Sequence, residues 1–367
     1  MQNKSILIEK NDQLSDFLKT LSPISVIGVD TEFVRKNTYW PILCLIQISD
    51  GIRTAVVDAT SKKVNLKPIF NIMQDISKKK IFHAAEQDLQ ILSIEGGPIR
   101  NIFDTQIASM FVGHKTQISY NELVKNIVGE DVTKTEQNSA WNKRPLSVSQ
   151  LNYAARDVIY LPKLFHHLNN LIETKNINSW IEEEMNRLEQ SSKRHYDPMK
   201  AWEKIRLPHL SEPIKHIIKH VACWRELMAQ HHNVPRTWIF DNNVVKHIAK
   251  NPRTIRIYAK ELLKHSRYVT YENFNDLIKF VEKLPLLEKP QLPPINDKKT
   301  VRSEKNIIKS LKSLLNNECE TYGISPHLVA NRLELEKMAN GNDRIRASYG
   351  WRFEVFGKKA IRLINSA

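Results

Sequence analysis

Between Ile24 and Val29 the chain reads ISVIGV, and the next three residues are Asp30, Thr31 and Glu32. A run this apolar reads as a buried strand, which places it inside a sheet covered by other elements. Side chains alternate along a strand, so Asp30 and Glu32 share one face if the strand persists through them. Charge at the end of a buried strand is costly, and two carboxylates at that spacing repel each other. A divalent cation with a taste for hard oxygen ligands, Mg²⁺ or Mn²⁺, would resolve the conflict. A solvated strand end carrying two surface acids would give the same pattern, so the pair alone decides nothing.

The surrounding first half alternates strand and helix signals. Asn11 to Thr20 has helical spacing. Leu43 to Ser49 and Arg53 to Asp58 read as strands around the turn signal Asp50-Gly51. With the first strand they predict a three-stranded antiparallel meander. Lys67 to Ile76 is helical in period. Lys80 to His83 is a short strand followed by a helix over Ala84 to Leu92, and Ile102 to Thr105 is another strand leading into a helix through Phe111. Ser147 to Ile172 is the longest helical signal of this half. It opens on the capping-box spacing Ser147-x-x-Gln150 and is interrupted by Pro162. An early meander followed by strand–helix units predicts a mixed sheet with helices on its faces.

Further acids fall on these elements. Asp88 lies in the early turns of the helix after His83, where an acid also suits the helix dipole. Tyr153 and Asp157, four apart on the later helix, project from one face and can meet across a turn without any further role.

The ordered series of Asp-x-Glu on a strand, Asp on a following helix and Tyr-x-x-x-Asp on a later helix resembles the ribonuclease D family. These are DEDD-superfamily 3′→5′ exonucleases whose third motif carries a tyrosine. The matching stretches are VDTEF at Val29 to Phe33, Asp88 within HAAEQDL, and Tyr153 and Asp157 within QLNYAARDV. Two accessory stretches also match, CLIQIS at Cys44 to Ser49 and WNKRPL at Trp141 to Leu146. The resemblance implies a ribonuclease H-like α/β exonuclease domain with Asp30, Glu32, Asp88, Tyr153 and Asp157 as its catalytic set. The four acids would hold two divalent ions, Mg²⁺ or Mn²⁺, and Tyr153 would orient water. Phe33, Gln47, His83, Lys143 and Arg144 are further candidates for touching RNA. Each has a plainer reading: core packing for Phe33, an inward polar residue for Gln47, a local hydrogen bond for His83, and a solvated loop for Lys143 and Arg144.

After about residue 190 the strand signals fade. Val221 to Pro252 resembles an HRDC domain through Trp224-Arg225-Glu226, Ala229, Asn233, Pro235-Arg236 and Asn251-Pro252. There Trp224, Leu227 and Met228 read as an apolar helix face. Ser325 to Gly341 and Gly350 to Ala360 resemble the second, more diverged HRDC-like block of the same family. The expected layout is therefore an exonuclease domain over 1–195, an HRDC domain over 205–286, a proline-rich linker over 287–302 and a second helical domain over 303–367.

Composition narrows the partner. Lys and Arg total 55 against 40 Asp and Glu, a net charge of +15 that suits a polyanion. No apolar run approaches the roughly 20 residues of a membrane span, and no secretory signal is visible at the N-terminus. Cys44, Cys223 and Cys319 are too scattered for a zinc site or a disulfide framework and read as buried thiols of a reducing compartment. The expectation is a cytoplasmic monomer with no obligatory protein partner. The resemblance implies tRNA precursors with 3′ extensions and other small structured RNAs as its substrates. A DNA exonuclease of the same class and a silent RNA-binding adaptor are the alternatives. No G-x-x-x-x-G-K-[ST] motor motif is present.

Overall fold

The computed structural model describes residues 4–114, 117–132, 136–137, 139–192, 197–207, 210–252, 255–264, 266–284, 300–342 and 345–366. Its strands are β1 (Lys4–Ile8), β2 (Val26–Val34), β3 (Ile42–Ser49), β4 (Arg53–Asp58), β5 (Lys79–Phe82) and β6 (Ile102–Asp104). They form one sheet in the order β1-β4-β3-β2-β5-β6. β3 and β4 pair antiparallel, whereas β1–β4, β2–β5 and β5–β6 are parallel. The sheet is mixed, as expected. The Asp50-Gly51 turn is made by the Asp50 carboxylate, which accepts from the backbone N–H of Ile52 and Arg53 at 2.8 and 2.7 Å. Gly51 supplies a φ of 89°. Strand β1 was not anticipated. Ser-Ile-Leu-Ile is too short a pattern to distinguish from a loop until it finds β4, which it pairs in parallel from Lys4↔Arg53 to Ile8↔Val57.

Helices α1 (Asn11–Leu21), α2 (Lys67–Gln74), α3 (Glu86–Gly96), α4 (Thr105–Phe111), α5 (Tyr120–Val128), α6 (Val148–Ile159), α7 (Leu161–Thr174) and α8 (Asn178–Ser192) complete this half. The single long signal from Ser147 is two helices. Ser147 and Gln150 form the capping box that starts α6, and Pro162 sits in the first turn of α7, where its missing N–H costs nothing.

The remaining helices are α9 (Glu212–His231), α10 (Arg236–Ile239), α11 (Asn242–Lys250), α12 (Ala259–Lys264), α13 (Tyr271–Lys283), α14 (Thr300–Tyr322), α15 (Pro326–Val329), α16 (Arg332–Ala339), α17 (Gly350–Arg352) and α18 (Lys358–Asn365). The chain divides into two compact units. One comprises Met1–Phe33, Leu43–Lys193 and Asn296–Ala367, and the other comprises Val34–Ile42 and Arg194–Ile295. The final helical block thus belongs to the sheet-bearing unit, unlike the separate domain over 303–367 drawn from sequence. Buried Leu311, Leu315, Leu328, Trp351 and Phe356 join the same continuous core as the strands. The linker over 287–302 lies outside the described residues as far as 299, and the chain is already helical at Thr300.

The last block is held by a buried ion pair. The Arg352 guanidinium bonds both oxygens of Glu184 on α8, and its Nε donates to the Leu328 carbonyl at 2.6 Å. Trp351 adds its indole N–H to Glu184 at 3.0 Å and stacks on Trp180 at 5.1 Å between ring centres. Both members of the pair are almost fully buried.

In the second unit the buried face of α9 is Ile217, Ile218, Val221, Ala222, Arg225, Glu226 and Ala229. This corrects the apolar face drawn from sequence: Leu227 is exposed, and Trp224 and Met228 are half-buried. Two charged residues face inward because partners await them. Arg225 Nη1 donates to the Phe240 carbonyl and to Asn242 at 3.1 and 2.9 Å. Glu226 accepts from the Tyr39 hydroxyl at 2.6 Å. Asn233 Oδ1 accepts from the backbone N–H of Tyr39 and Trp40. The residues that carry the HRDC resemblance therefore spend polar atoms inside this unit. Cys223 is half-buried, whereas Cys44 and Cys319 are buried as expected; all three are free thiols.

Removing one partner of a buried pair strands the other charge. Arg352→Ala is expected to cost about 3–5 kcal/mol, read by urea unfolding followed through tryptophan fluorescence. Burial raises Glu184, but the bonds from Arg352, Arg187 and Trp351 outweigh it and hold the carboxyl below its ordinary range. Its contribution is then complete above the unfolded glutamate value of about 4.3. It is lost as pH falls through the lower folded value, so the wild-type advantage over Arg352→Ala should shrink in that acidic window.

Candidate active site

The site begins at Gly28. A Cβ built there would lie 2.6 Å from the Val158 carbonyl oxygen and 2.9 Å from Leu161 Cβ, so the α6–α7 junction crosses β2 at a distance that only glycine allows. Asp30 and Glu32 follow on the same face at i+2 and i+4. Asp157 lies one residue before Val158 and is therefore delivered beside them. Carboxylate oxygens of Asp30, Glu32 and Asp157 all lie within 4.8 Å of one another. These three acids from two elements suit a hard divalent cation in donor type and in spacing.

Asp88 comes to the group from a third element, α3. Thr31, between the two strand acids, donates its hydroxyl to Asp88 Oδ1. The buried Asp88 is placed by the first turn of α3.

Neighbouring residues fix the remaining side chains. Tyr153 hydrogen-bonds to Asp157 across one turn of α6. The buried indole of Trp141 lies 6.0 Å from the Tyr153 ring. Trp141 is in turn held by Arg144, which donates to the Trp141 carbonyl at 2.7 Å and grips both oxygens of Asp58 at the end of β4. Tyr120 donates its hydroxyl to the Arg156 carbonyl at 2.9 Å, anchoring α6 next to Asp157.

The acids are electrostatically loaded. Burial pushes Asp30 well above the usual carboxylate range, and Asp88, Asp157 and Glu32 add to the shift. Burial, then Asp157 and Asp88, raises Glu32 to about 9. Asp88 rises to about 7, chiefly through burial. Tyr153 is pushed upward by burial and by the nearby acids, so it stays a neutral phenol at physiological pH. Without a cation the group therefore retains protons at neutral pH that free carboxylates would release.

The other candidates sit as follows. Phe33 is half-buried and packs against the core. Gln47 is fully buried on β3, and neither end of its amide has a hydrogen-bond partner among the described residues. His83 has both ring nitrogens engaged, Nδ1 with Thr105 Oγ1 at 2.9 Å and Nε2 with the Ile118 carbonyl at 3.0 Å. Lys143 is exposed. The guanidinium of Arg144 is used up in bracing the WNKRPL loop to β4. Sequence reasoning passed over Gly28, Thr31 and Tyr120. A glycine within an apolar strand was the available signal for the first. Nothing local marked the other two.

Comparison with known proteins agrees with this geometry. A family model described as 3′-5′ exonuclease matches residues 6–173. Ribonuclease D of Zymomonas mobilis is 33% identical over 98% of this chain and 93% of its own, and that of Bartonella henselae is 32% identical over 98% and 89%. The chain belongs to the ribonuclease D family. It is also similar to the crystal structure of Escherichia coli RNase D, described as an exoribonuclease involved in structured RNA processing. The TM-score is 0.83 and the identity 25%, with 99% of each chain covered. The fold expected from sequence, a ribonuclease H-like mixed sheet followed by helical blocks, is the fold of that family. Ribonuclease D enzymes are 3′→5′ exoribonucleases, and this chain is a hydrolase of that class. The family implies divalent metal ions and RNA as the substrate class. No described helix is long and apolar enough to cross a membrane.

Two outcomes follow from the packing and charge. Gly28→Ala should destabilise the protein by about 1–3 kcal/mol through overpacking and lower activity as α6 is pushed off β2; thermal unfolding and trimming rates measure both. Asp30→Asn should stabilise the metal-free protein by roughly 0.5–2 kcal/mol at neutral pH. An acid whose folded pKa is raised costs stability above its unfolded value, so this gain should vanish below about pH 4, where the acids are protonated in both states. Unfolding of the two proteins in EDTA-treated buffer across pH measures it.

Proposed function

We propose that this ribonuclease trims 3′ extensions from tRNA precursors and other small structured RNAs, one nucleotide at a time, as a cytoplasmic monomer. The observation that carries the reading is the convergence of Asp30, Glu32 and Asp157 within 4.8 Å, with Asp88 held beside them by Thr31. The four acids would hold two divalent ions, Mg²⁺ or Mn²⁺, because hard anionic oxygens are what such ions prefer. The chemistry supplied by such a pair when bound is charge neutralisation and activation of water for an in-line displacement.

The residues of the chain do the rest. Tyr153, kept as a phenol, orients the attacking water through its hydroxyl. Trp141 fixes the Tyr153 ring, and Asp157 fixes the hydroxyl. Water adds its oxygen to the terminal phosphodiester phosphorus, and the bond from phosphorus to the 3′ oxygen breaks. The shortened RNA keeps a 3′ hydroxyl, and a nucleoside 5′-monophosphate departs. The net charge of +15 supplies general attraction for the phosphate backbone. Free cysteines are in keeping with a reducing compartment.

The test is digestion of a 5′-labelled, 3′-extended tRNA precursor with Mg²⁺ or Mn²⁺, resolved nucleotide by nucleotide, beside a DNA strand of the same sequence. A single-nucleotide ladder on RNA is expected, abolished by EDTA and reduced about 100-fold or more by Asp30→Asn. RNA binding should survive chelation and weaken with salt. Equal rates for Asp30→Asn and wild type, or strong preference for the DNA strand, would overturn the reading.

A further inference from the structure

Asp104 and Thr105 lie outside the acid group, yet together they bond every residue from Phe82 to Ala85. Asp104 Oδ1 accepts from the Ala84 N–H at 3.1 Å, and its Oδ2 accepts from the Ala85 N–H at 2.8 Å. The Thr105 hydroxyl lies 2.9 Å from the Phe82 carbonyl and 2.9 Å from His83 Nδ1. The same Asp104 carboxylate also caps its own helix, α4, by accepting from Gln106 and Ile107. Both residues are buried.

The segment they grip needs holding. Ala84 has a φ of 60°, a left-handed conformation that an alanine adopts only at a cost. Ala85, which precedes α3, has no side chain to cap that helix. α3 starts at Glu86, and its third residue is Asp88. The direction in which the chain leaves this junction therefore sets where the Asp88 carboxylate arrives. A carboxylate suits the task better than an amide, since both its oxygens accept and neither donates. The choice has an electrostatic cost, because the charge of Asp104 adds to the upward push on Asp88.

We propose that Asp104 and Thr105 are positioning residues of the exonuclease site, fixing the β5–α3 junction so that Asp88 meets Thr31 and completes the ion-holding group. The inference rests on the proposed role of the four acids. It separates these two residues from ordinary core polar groups, whose loss would lower stability without altering the affinity of the site for metal.

The experiment compares wild type, Asp104→Asn, Thr105→Val, Asp30→Asn and the core control Leu168→Ala in full-length protein. Leu168 is a fully buried apolar residue of α7. Three quantities are measured: melting temperature, Mn²⁺ binding by calorimetry without RNA, and kcat and KM for a 3′-extended RNA. Asp104→Asn keeps one acceptor oxygen for α4 but turns an N–H donor toward the junction. It should weaken Mn²⁺ binding about 10-fold or more and lower kcat with KM for RNA unchanged. Thr105→Val, which preserves shape, should shift both in the same direction by less, and it carries the test alone if Asp104→Asn does not fold. Leu168→Ala should lose melting temperature but bind Mn²⁺ as wild type does. Wild-type Mn²⁺ binding in both clamp variants, with rates falling no further than in Leu168→Ala, would overturn the inference. Undiminished Mn²⁺ binding and activity in Asp30→Asn would instead overturn the reading of the acids themselves.

Discussion

The site depends on one close approach. Where α6 passes into α7, the backbone lies against β2 over Gly28 at a distance that excludes any side chain. That contact fixes the height of Asp157 above the sheet, and the two-residue period of β2 then fixes Asp30 and Glu32 beneath it. The acids belong to segments more than a hundred residues apart in sequence, and no local preference brings them together. Tyr120 on α5 bonds the same helix from another direction, and the Arg144–Asp58 pair braces the loop whose Trp141 lies beside Tyr153. The β2–α6 contact is therefore braced on several sides rather than resting on Gly28 alone.

Bringing four carboxylates together works against folding. Burial raises Asp30, Glu32 and Asp88, and repulsion from the neighbouring acids of the group adds to the rise at Asp30 and Glu32. The surrounding structure outweighs that cost with ordinary means: apolar strands, a helix cap, a threonine hydroxyl. The arrangement fits a general pattern in which a functional site keeps charge that a structural core would avoid. The neutral phenol of Tyr153 is the exception in the group, a donor among acceptors, and its hydrogen bond to Asp157 uses that difference.

The helical half shows how little a motif says about where its polar atoms point. Trp224-Arg225-Glu226 and Asn233 carry the HRDC resemblance. In the folded unit, Arg225, Glu226 and Asn233 turn inward, toward Phe240, Asn242, Tyr39 and Trp40. The final block likewise reads as a separate domain because its helices have their own periodicity. Its core residues are continuous with those beneath the sheet, and the Glu184–Arg352 pair joins it to α8. Periodicity reports that a helix has a buried face but not what buries it.

The sequence by itself determined the apolar strand that leads into Asp30 and Glu32, the hairpin turned by Asp50-Gly51, the capping box at Ser147, the break before Pro162 and the order of the acids. Each is written in residues a few positions apart, within reach of a turn, a cap or a strand period. Tertiary structure alone decided that β1 joins the sheet, that Thr31 bonds Asp88, that Arg144 serves Asp58 and that His83 is spent on Thr105 and Ile118. It also decided that 303–367 shares the core of the sheet. In each of these the partner lies far along the chain, and its identity follows from packing that no local pattern encodes. The acids could be named from the family resemblance that their ordered motifs carry, but their convergence needed the fold, because charge and distance act through space rather than along the sequence.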